Sequence, residues 1–308
     1  MSLTTQKSTA PGKIHLKLPA TSANLGPGFD ALGLAMALYL TIDAVVATEF
    51  QIDATGRNAD LCRRVEDSLI LTTYREVLAD AGREPLPIGL LLHNEIPLGM
   101  GCGSSAAALL AGVLLANHFG ELGWSGQQVL EEACRREGHP DNVAACWKGG
   151  MTSSSCFGSR VVTATCGEEL NWKILIALPS ASLATEKARA LLPATYSRAD
   201  AVANVQSTAL LVSAFALGRG DLLRYAMQDR IHQPYRMEAC PLLPLLLPMV
   251  EEPGVLGVAL SGAGPSVLLI LEGDAPVGDL VNKIRYLGSD PMLDVMQTRV
   301  ASGCFVKG

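Results

Sequence analysis

Ile14, Leu16 and Leu18 alternate with His15 and Lys17, a period of two that predicts a half-buried strand ending near Pro19. A segment of small and turn-forming residues, ATSANLGPGFD, occupies 20–30. Residues 31–46 are then apolar almost throughout, with no polar helical face, which predicts buried strand. Leu69, Ile70, Tyr74, Val77 and Leu78 fall at helical spacing and predict a helix over 67–78 that stops near Gly82. Residues 88–92 predict a short strand delivered into a glycine-rich loop, and SSAAALLAGVLLAN over 104–117 predicts a buried helix capped by its serine start. A further helix over 126–136 leads to Gly138-His139-Pro140-Asp141-Asn142. Small and polar residues gather over 150–170, and 172–178 predict a new strand. A domain boundary is expected there, giving units of 13–168 and 169–308.

Composition narrows the function classes. With 308 residues, 49% of them hydrophobic and 18% charged, the chain can bury a substantial core. A formal net charge of −6 argues against general binding to nucleic acid or anionic membranes, although a local pocket of a few arginines remains compatible with it. The expected partner is a small molecule. Eight cysteines, at 62, 102, 134, 146, 156, 166, 240 and 304, form no CxxC pair, so neither a zinc site nor a disulfide framework is suggested. The first residues are polar, and the longest apolar runs, such as 241–248, are broken by proline and too short to span a bilayer. A cytoplasmic protein with free thiols is the expectation. No single stretch requires an oligomer, and a homodimer is left open.

The loop Pro97-Leu98-Gly99-Met100-Gly101-Cys102-Gly103-Ser104-Ser105-Ala106-Ala107 sets three alternate glycines before a helix. An ordinary strand-to-helix turn needs one glycine. A dinucleotide site would show GxGxxG after the first strand of a parallel unit, whereas the spacing here is GxGxG after almost a hundred residues. A Walker A loop needs a lysine, and 97–108 contains none. What remains is a turn onto a helix N-terminus, where free N–H groups and roughly half a positive charge favour an anion. On these residues alone, a phosphate site and a structural turn are both open.

With its neighbours the loop carries a resemblance. PLGMGCGSSAA resembles the second motif of the GHMP small-molecule kinases, PATSANLGPGFDALGLA (19–35) resembles their first, and Ser261-Gly-Ala-Gly-Pro-Ser266 their third. The motifs stand in the family's order and cover the chain from about residue 14 to its end. The run 22–30 together with GHPDN is similar to the homoserine-phosphorylating branch. The resemblance implies an α+β fold of two domains, an N-terminal one like ribosomal S5 domain 2 and a C-terminal ferredoxin-like one, with the site between them. It also implies ATP and Mg2+ as cofactors, L-homoserine as substrate, and O-phospho-L-homoserine, a threonine precursor, as product. A kinase for another small hydroxy compound, or a related decarboxylase, would need a different constellation.

Carried over residue by residue, the resemblance assigns residues 97–107 to ATP. Asp30 becomes the acceptor for the substrate ammonium, with Asn24 as a neutral partner. Arg189 and Arg236 become the guanidinium groups for its carboxylate, beside Thr185 and His139. Ser105, of the pair Ser104-Ser105, and Glu131, eight residues before His139, become the metal ligands, with Glu131 taken over Glu132 on motif spacing. Asn24, His139 and Asn142 are expected to position the reacting groups, and Asp141 matches the place where some relatives carry a catalytic aspartate. Two departures stand out. Cys102 replaces the family's usual leucine, as either a buried small hydrophobe or a thiol activated by the helix N-terminus, and the adenine-side segment 65–70 lacks an expected asparagine.

Overall fold

The alternating start of the chain forms strand β1 (Ile14–Asn24), and the long apolar run forms β2 (Gly28–Val46), paired antiparallel with it. The computed structural model describes residues 12–308 apart from Ser182 and Ala184. β3 (Gln51–Gly56) and β4 (Ile88–Asn94) extend the sheet past the C-terminal half of β2. β5 (Met151–Phe157) pairs with Leu32–Leu34 of β2, and β6 (Arg160–Cys166) pairs with β5. The small polar residues after Gly150 are therefore hairpin strands, with the Ser154 and Thr163 hydroxyls hydrogen-bonded across the pair (3.0 Å).

Helices Ser104–Phe119 and Asp141–Lys148 pack on β1 and β2, flanked by Leu69–Asp80 and Gly126–Glu137. Leu16, Leu18, Leu34, Met36 and Ile42 lie fully buried in one cluster with Leu110 and Val113. Burial of a side chain of this size contributes about 1.5–3 kcal/mol. Gly126–Glu137 opens with a reciprocal Ser125–Gln128 capping box, and Leu69–Asp80 is capped by Ser68. Helix Ser104–Phe119 departs from expectation: its N-cap is Gly103 at φ 68°, with no side-chain cap, so both serines lie inside the first turn.

β7 (Lys173–Leu178), β8 (Val255–Leu260), β9 (Val267–Leu271) and β10 (Asp294–Arg299) make a second, antiparallel sheet in the order β10-β7-β9-β8. With helices after β7 and β9, this is the ferredoxin-like βαββαβ arrangement. The chain does not stay there. β11 (Phe305–Lys307) returns to pair with β1, and single bridges join Val300 to Met36 and Ser302 to Gly149. The unit expected over 169–308 thus gives up its last residues to the first sheet, because the unpaired edge of β1 offers them a full hydrogen-bonding ladder.

Among the described residues one helix, Arg198–Leu217, 20 residues of mean hydropathy 1.3, has the length and hydropathy of a membrane span. It buries Leu211, Ala214 and Phe215, and its Asn204 and Thr208 side chains both donate to the Pro27 carbonyl, tying it to the first motif.

Gly33 shows how closely these layers meet. A Cβ there would lie 2.2 Å from the Asp141 carbonyl oxygen. Gly33→Ala is expected to lower stability by about 1–3 kcal/mol, seen as a reduced urea midpoint at unchanged m-value.

Candidate active site

Gly99, Gly101 and Gly103 all have positive φ, of 69°, 72° and 68°. A Cβ on Gly101 would stand 2.2 Å from the Ser261 carbonyl oxygen, and one on Gly103 1.8 Å from Thr21 Oγ1, whereas at Gly99 nothing lies within 4 Å. Two of the glycines therefore let other segments approach, and the third faces open space. Hydrogen bonds lock the approach: Thr21 N donates to Cys102 O (3.1 Å), Gly262 N to Ala23 O (3.1 Å), and the Ser261 hydroxyl bonds both Gly101 O (2.7 Å) and the Ser22 hydroxyl (2.9 Å). The three sequence motifs meet here as one backbone knot.

Two cavities flank the loop and share Gly99, Ser104 and Ser105. One, of about 400 Å³, is lined mainly by apolar residues, among them Leu40, Leu61, Ile70, Leu92, Ile96 and Leu98. The other, of about 170 Å³, is polar and holds Asn24, Asp30, Glu137, His139, Arg189 and Arg236. An uncapped helix N-terminus between an apolar slot and a charged pocket suits a ligand with an apolar ring, a chain of anionic groups and a small polar acceptor beyond.

The polar pocket is built on strained backbone. Asn24, Leu25 and Asp30 sit in the left-handed region at φ 71°, 50° and 55°. Such residues cost about 1–3 kcal/mol each. They are held by Asn24 Nδ2 donating to Gly262 O (2.9 Å) and Asp30 N donating to Asn24 Oδ1 (3.1 Å). Arg189 donates to both oxygens of Asp30 (2.6 and 3.1 Å), and this pairing pushes its pKa up. Arg236 is 1% exposed, and burial together with the charge of Arg189 works against its protonated form. The Phe29 ring lies 5.4 Å from one guanidinium and 5.6 Å from the other, spacing the two cations.

His139 Nδ1 bonds Asp141 Oδ1 at 2.7 Å, an oxygen that also accepts from the Asn142 amide (2.7 Å). Burial alone would lower the pKa of His139, but the carboxylates of Asp141, Asp30 and Glu137 together outweigh it and the net shift is upward. Asn142 Oδ1 accepts from Thr21 Oγ1 (2.7 Å), which ties this turn to β1. Asp141 is therefore an orienting group for His139 and Asn142.

The carboxylate beside Ser105 is Glu137, not Glu131. Ser105 Oγ donates to Glu137 Oε2 (3.1 Å), and burial pushes the Glu137 pKa up against the opposing pull of His139 and Ser105. Glu131 accepts instead from Gln127 Nε2 (2.7 Å) and the Val161 amide (3.4 Å), in a separate depression with Trp124 and Cys156. Six residues along a helix turn a side chain about one and two-thirds revolutions, so the two cannot share a face. The signal in the sequence was the last helical residue before Gly138-His139. Glu137, Phe29 and Gly262 are the site residues that sequence reasoning missed. Asn24, Asp30, His139, Asp141, Asn142, Arg189, Arg236 and the loop around Ser105 are brought together, while the side chain of Thr185 lies outside the described residues. Cys102 is a buried filler: desolvation pushes its thiol up to about 12, the opposite of activation.

Comparison with known proteins supplies the family. The sequence matches the GHMP kinases N terminal domain over residues 68–150 and the GHMP kinases C terminal domain over 211–290. It is 47% identical over 275 residues to the homoserine kinase of Solibacter usitatus, covering 89% of this chain and 90% of that one. It is 40% identical over 258 residues to the homoserine kinase of Desulfitobacterium hafniense, covering 84% and 87%. The crystal structure of homoserine kinase from Cytophaga hutchinsonii superposes with a TM-score of 0.81 at 25% identity, over 99% of this chain and 100% of that one.

The burial of Cys102 has a direct chemical readout. Brief alkylation of the native protein, followed by peptide mass spectrometry, is expected to modify the exposed Cys156 and leave Cys102 unmodified until the protein is unfolded.

Proposed function

The chain belongs to the GHMP kinase family, and we propose that it transfers the γ-phosphoryl group of ATP to the side-chain hydroxyl of L-homoserine, giving the O-phospho-L-homoserine used to make threonine. The observation that carries this reading is the charge pattern of the polar pocket. Asp30 and Arg189 form an ion pair that a zwitterion can enter by exchange, its ammonium taking Asp30 and its carboxylate taking Arg189 and Arg236. Two ion pairs then replace one. An acceptor without an ammonium, such as mevalonate, would take the arginines and leave Asp30 with no cation.

In this reading the apolar cavity takes the adenine. The open amides of the loop and first helical turn take the phosphates, where Gly99 leaves the backbone bare on the cavity side. The donor set fits Mg2+: a hydroxyl and a carboxylate, both hard oxygen ligands, with the carboxylate half-buried and its pKa pushed up by burial against the pull of His139 and Arg189. Ser105 and Glu137 would hold it, and when bound it neutralises phosphate charge. Phosphoryl transfer needs positioning and charge stabilisation more than covalent help. Asn24 fixes the Asp30 loop to Gly262, and His139, oriented by Asp141, offers its Nε2 for a hydrogen bond to the acceptor hydroxyl. With Asp141 Oδ1 engaged by His139 and Asn142, its role in this reading is orientation.

ADP release with Mg-ATP, measured against L-homoserine, D-homoserine, L-serine, mevalonate and galactose, is expected to select L-homoserine. Arg189→Ala and Arg236→Ala should each lower kcat/KM for it at least tenfold, the loss of about 1.5–3 kcal/mol per charged hydrogen-bonding group. Turnover of mevalonate in preference, or indifference to both substitutions, would overturn the reading. The two glutamates are separable: Glu137→Gln should cut kcat strongly and weaken the response to Mg2+, whereas Glu131→Gln should stay within about twofold of wild type.

A further inference from the structure

Arg236 is a buried guanidinium with no ion-pair partner among the described residues. Its Nε donates to Ala188 O (3.2 Å), and its NH1 lies 3.4 Å from Gly262 O and 3.1 Å from His232 Nδ1. All three acceptors are neutral backbone or ring atoms. His232, itself 0% exposed, is the nearest of them and belongs to no part of the chemistry described above.

The two ends of the His232 ring have opposite duties. Nε2 lies 2.8 Å from the Gly26 carbonyl, which can only accept, so Nε2 carries the proton. Nδ1 is then a bare lone pair, which is what a guanidinium, a donor only, requires. The charged groups facing the ring are Asp229 and Arg236 on its own turn and Asp30 from the first motif, with Arg189 beyond Arg236. Asp229 approaches Nε2 to 3.6 Å, but its oxygens are taken by the amides of Ile231 (2.8 Å), His232 (2.9 Å) and Gln233 (2.6 Å). Phe29, the ring between the two arginines, stacks on His232 at 5.4 Å and a tilt of 30°. Burial favours the neutral ring.

We propose that His232 is a positioning residue: a neutral imidazole, its proton held by Gly26, that aims Arg236 into the acceptor pocket without spending its charge. The inference rests on the reading of that pocket as a carboxylate site. A carboxylate in place of the imidazole would hold the guanidinium as firmly but neutralise it, and the arginine would then have little attraction left for the substrate. Arg189 reaches the same pocket differently, since its intramolecular partner Asp30 is one the substrate can displace. The site thus presents one cation that is released on binding and one that is kept unpaired until the carboxylate arrives.

Steady-state kinetics of His232→Leu, His232→Asn and His232→Asp test this, with KM for L-homoserine and for ATP measured separately. Asn places an amide oxygen near the Nδ1 position and should keep KM for L-homoserine within about threefold of wild type. Leu, which cannot accept, and Asp, which pairs with Arg236, should each raise it at least tenfold while KM for ATP stays within about twofold. In an Arg236→Ala background the Leu substitution should add nothing further. Equal damage from Asn and Leu, a rise shared by KM for ATP, a wild-type KM in the Asp variant, or full additivity with Arg236→Ala would each overturn the proposal. If wild-type protein turns over L-homoserine and the variants match it, this inference alone fails. If wild-type protein turns over no carboxylate-bearing acceptor, the functional reading fails and takes the inference with it.

Discussion

Backbone contact without side chains is the constraint on which this site depends. The loop at 99–105, the end of β1 and the turn after β8 are far apart in the chain, yet their main chains touch where Gly101 meets the Ser261 carbonyl and Cys102 O accepts from Thr21 N, and Gly103 makes room for the Thr21 hydroxyl. Only glycine permits both the positive φ and the approach. The consequence runs outward: with the loop pinned from both sides, helix Ser104–Phe119 starts at a fixed place with a glycine cap, and no side chain covers its first amides. The same contacts fix Asn24 against Gly262, so the strained turn bearing Asp30 is held by the knot that holds the glycine loop.

Charge is distributed so that each desolvated group is left incomplete until a ligand arrives. Glu137 is half-buried beside a hydroxyl, Arg236 is buried among neutral acceptors, and Asp30 and Arg189 pair with each other in the same pocket. An isolated buried charge is costly. In the proposed reading the costs fall at groups whose missing partners would be a metal ion, an α-carboxylate and an α-ammonium, so unfavourable burial in the free protein would become differential affinity for the bound one.

The second sheet supplies the rest of the enclosure. Its β8 ends at Leu260, whose N donates to Gln233 Oε1 (2.6 Å), which attaches the short helix carrying Arg236 to the same strand that delivers the third motif. The return of β11 to β1 closes the first sheet with residues from the far end of the chain. The chain thus passes from the second sheet back to the first before its last residues pair with β1.

Periodicity and turn chemistry determined most elements, because β1, β2 and the capped helices each follow from local patterns of burial and hydrogen bonding that need no distant partner. The resemblance of three motifs located nearly all the polar residues of the pocket. What only the tertiary structure decided was geometric. Glu131 and Glu137 are equivalent as letters on one helix, and the turn of the helix alone sends one to Ser105 and the other to Val161. A helical serine start reads as a cap until Gly103 takes that place, and the small polar residues of β5 and β6 read as linker until the edge of β2 pairs with them. Cys102 could be reactive or inert by sequence, and burial settled it. His232 gave no signal, since the role of an imidazole depends on which atoms its two nitrogens meet, and those atoms come from residues 26 and 236.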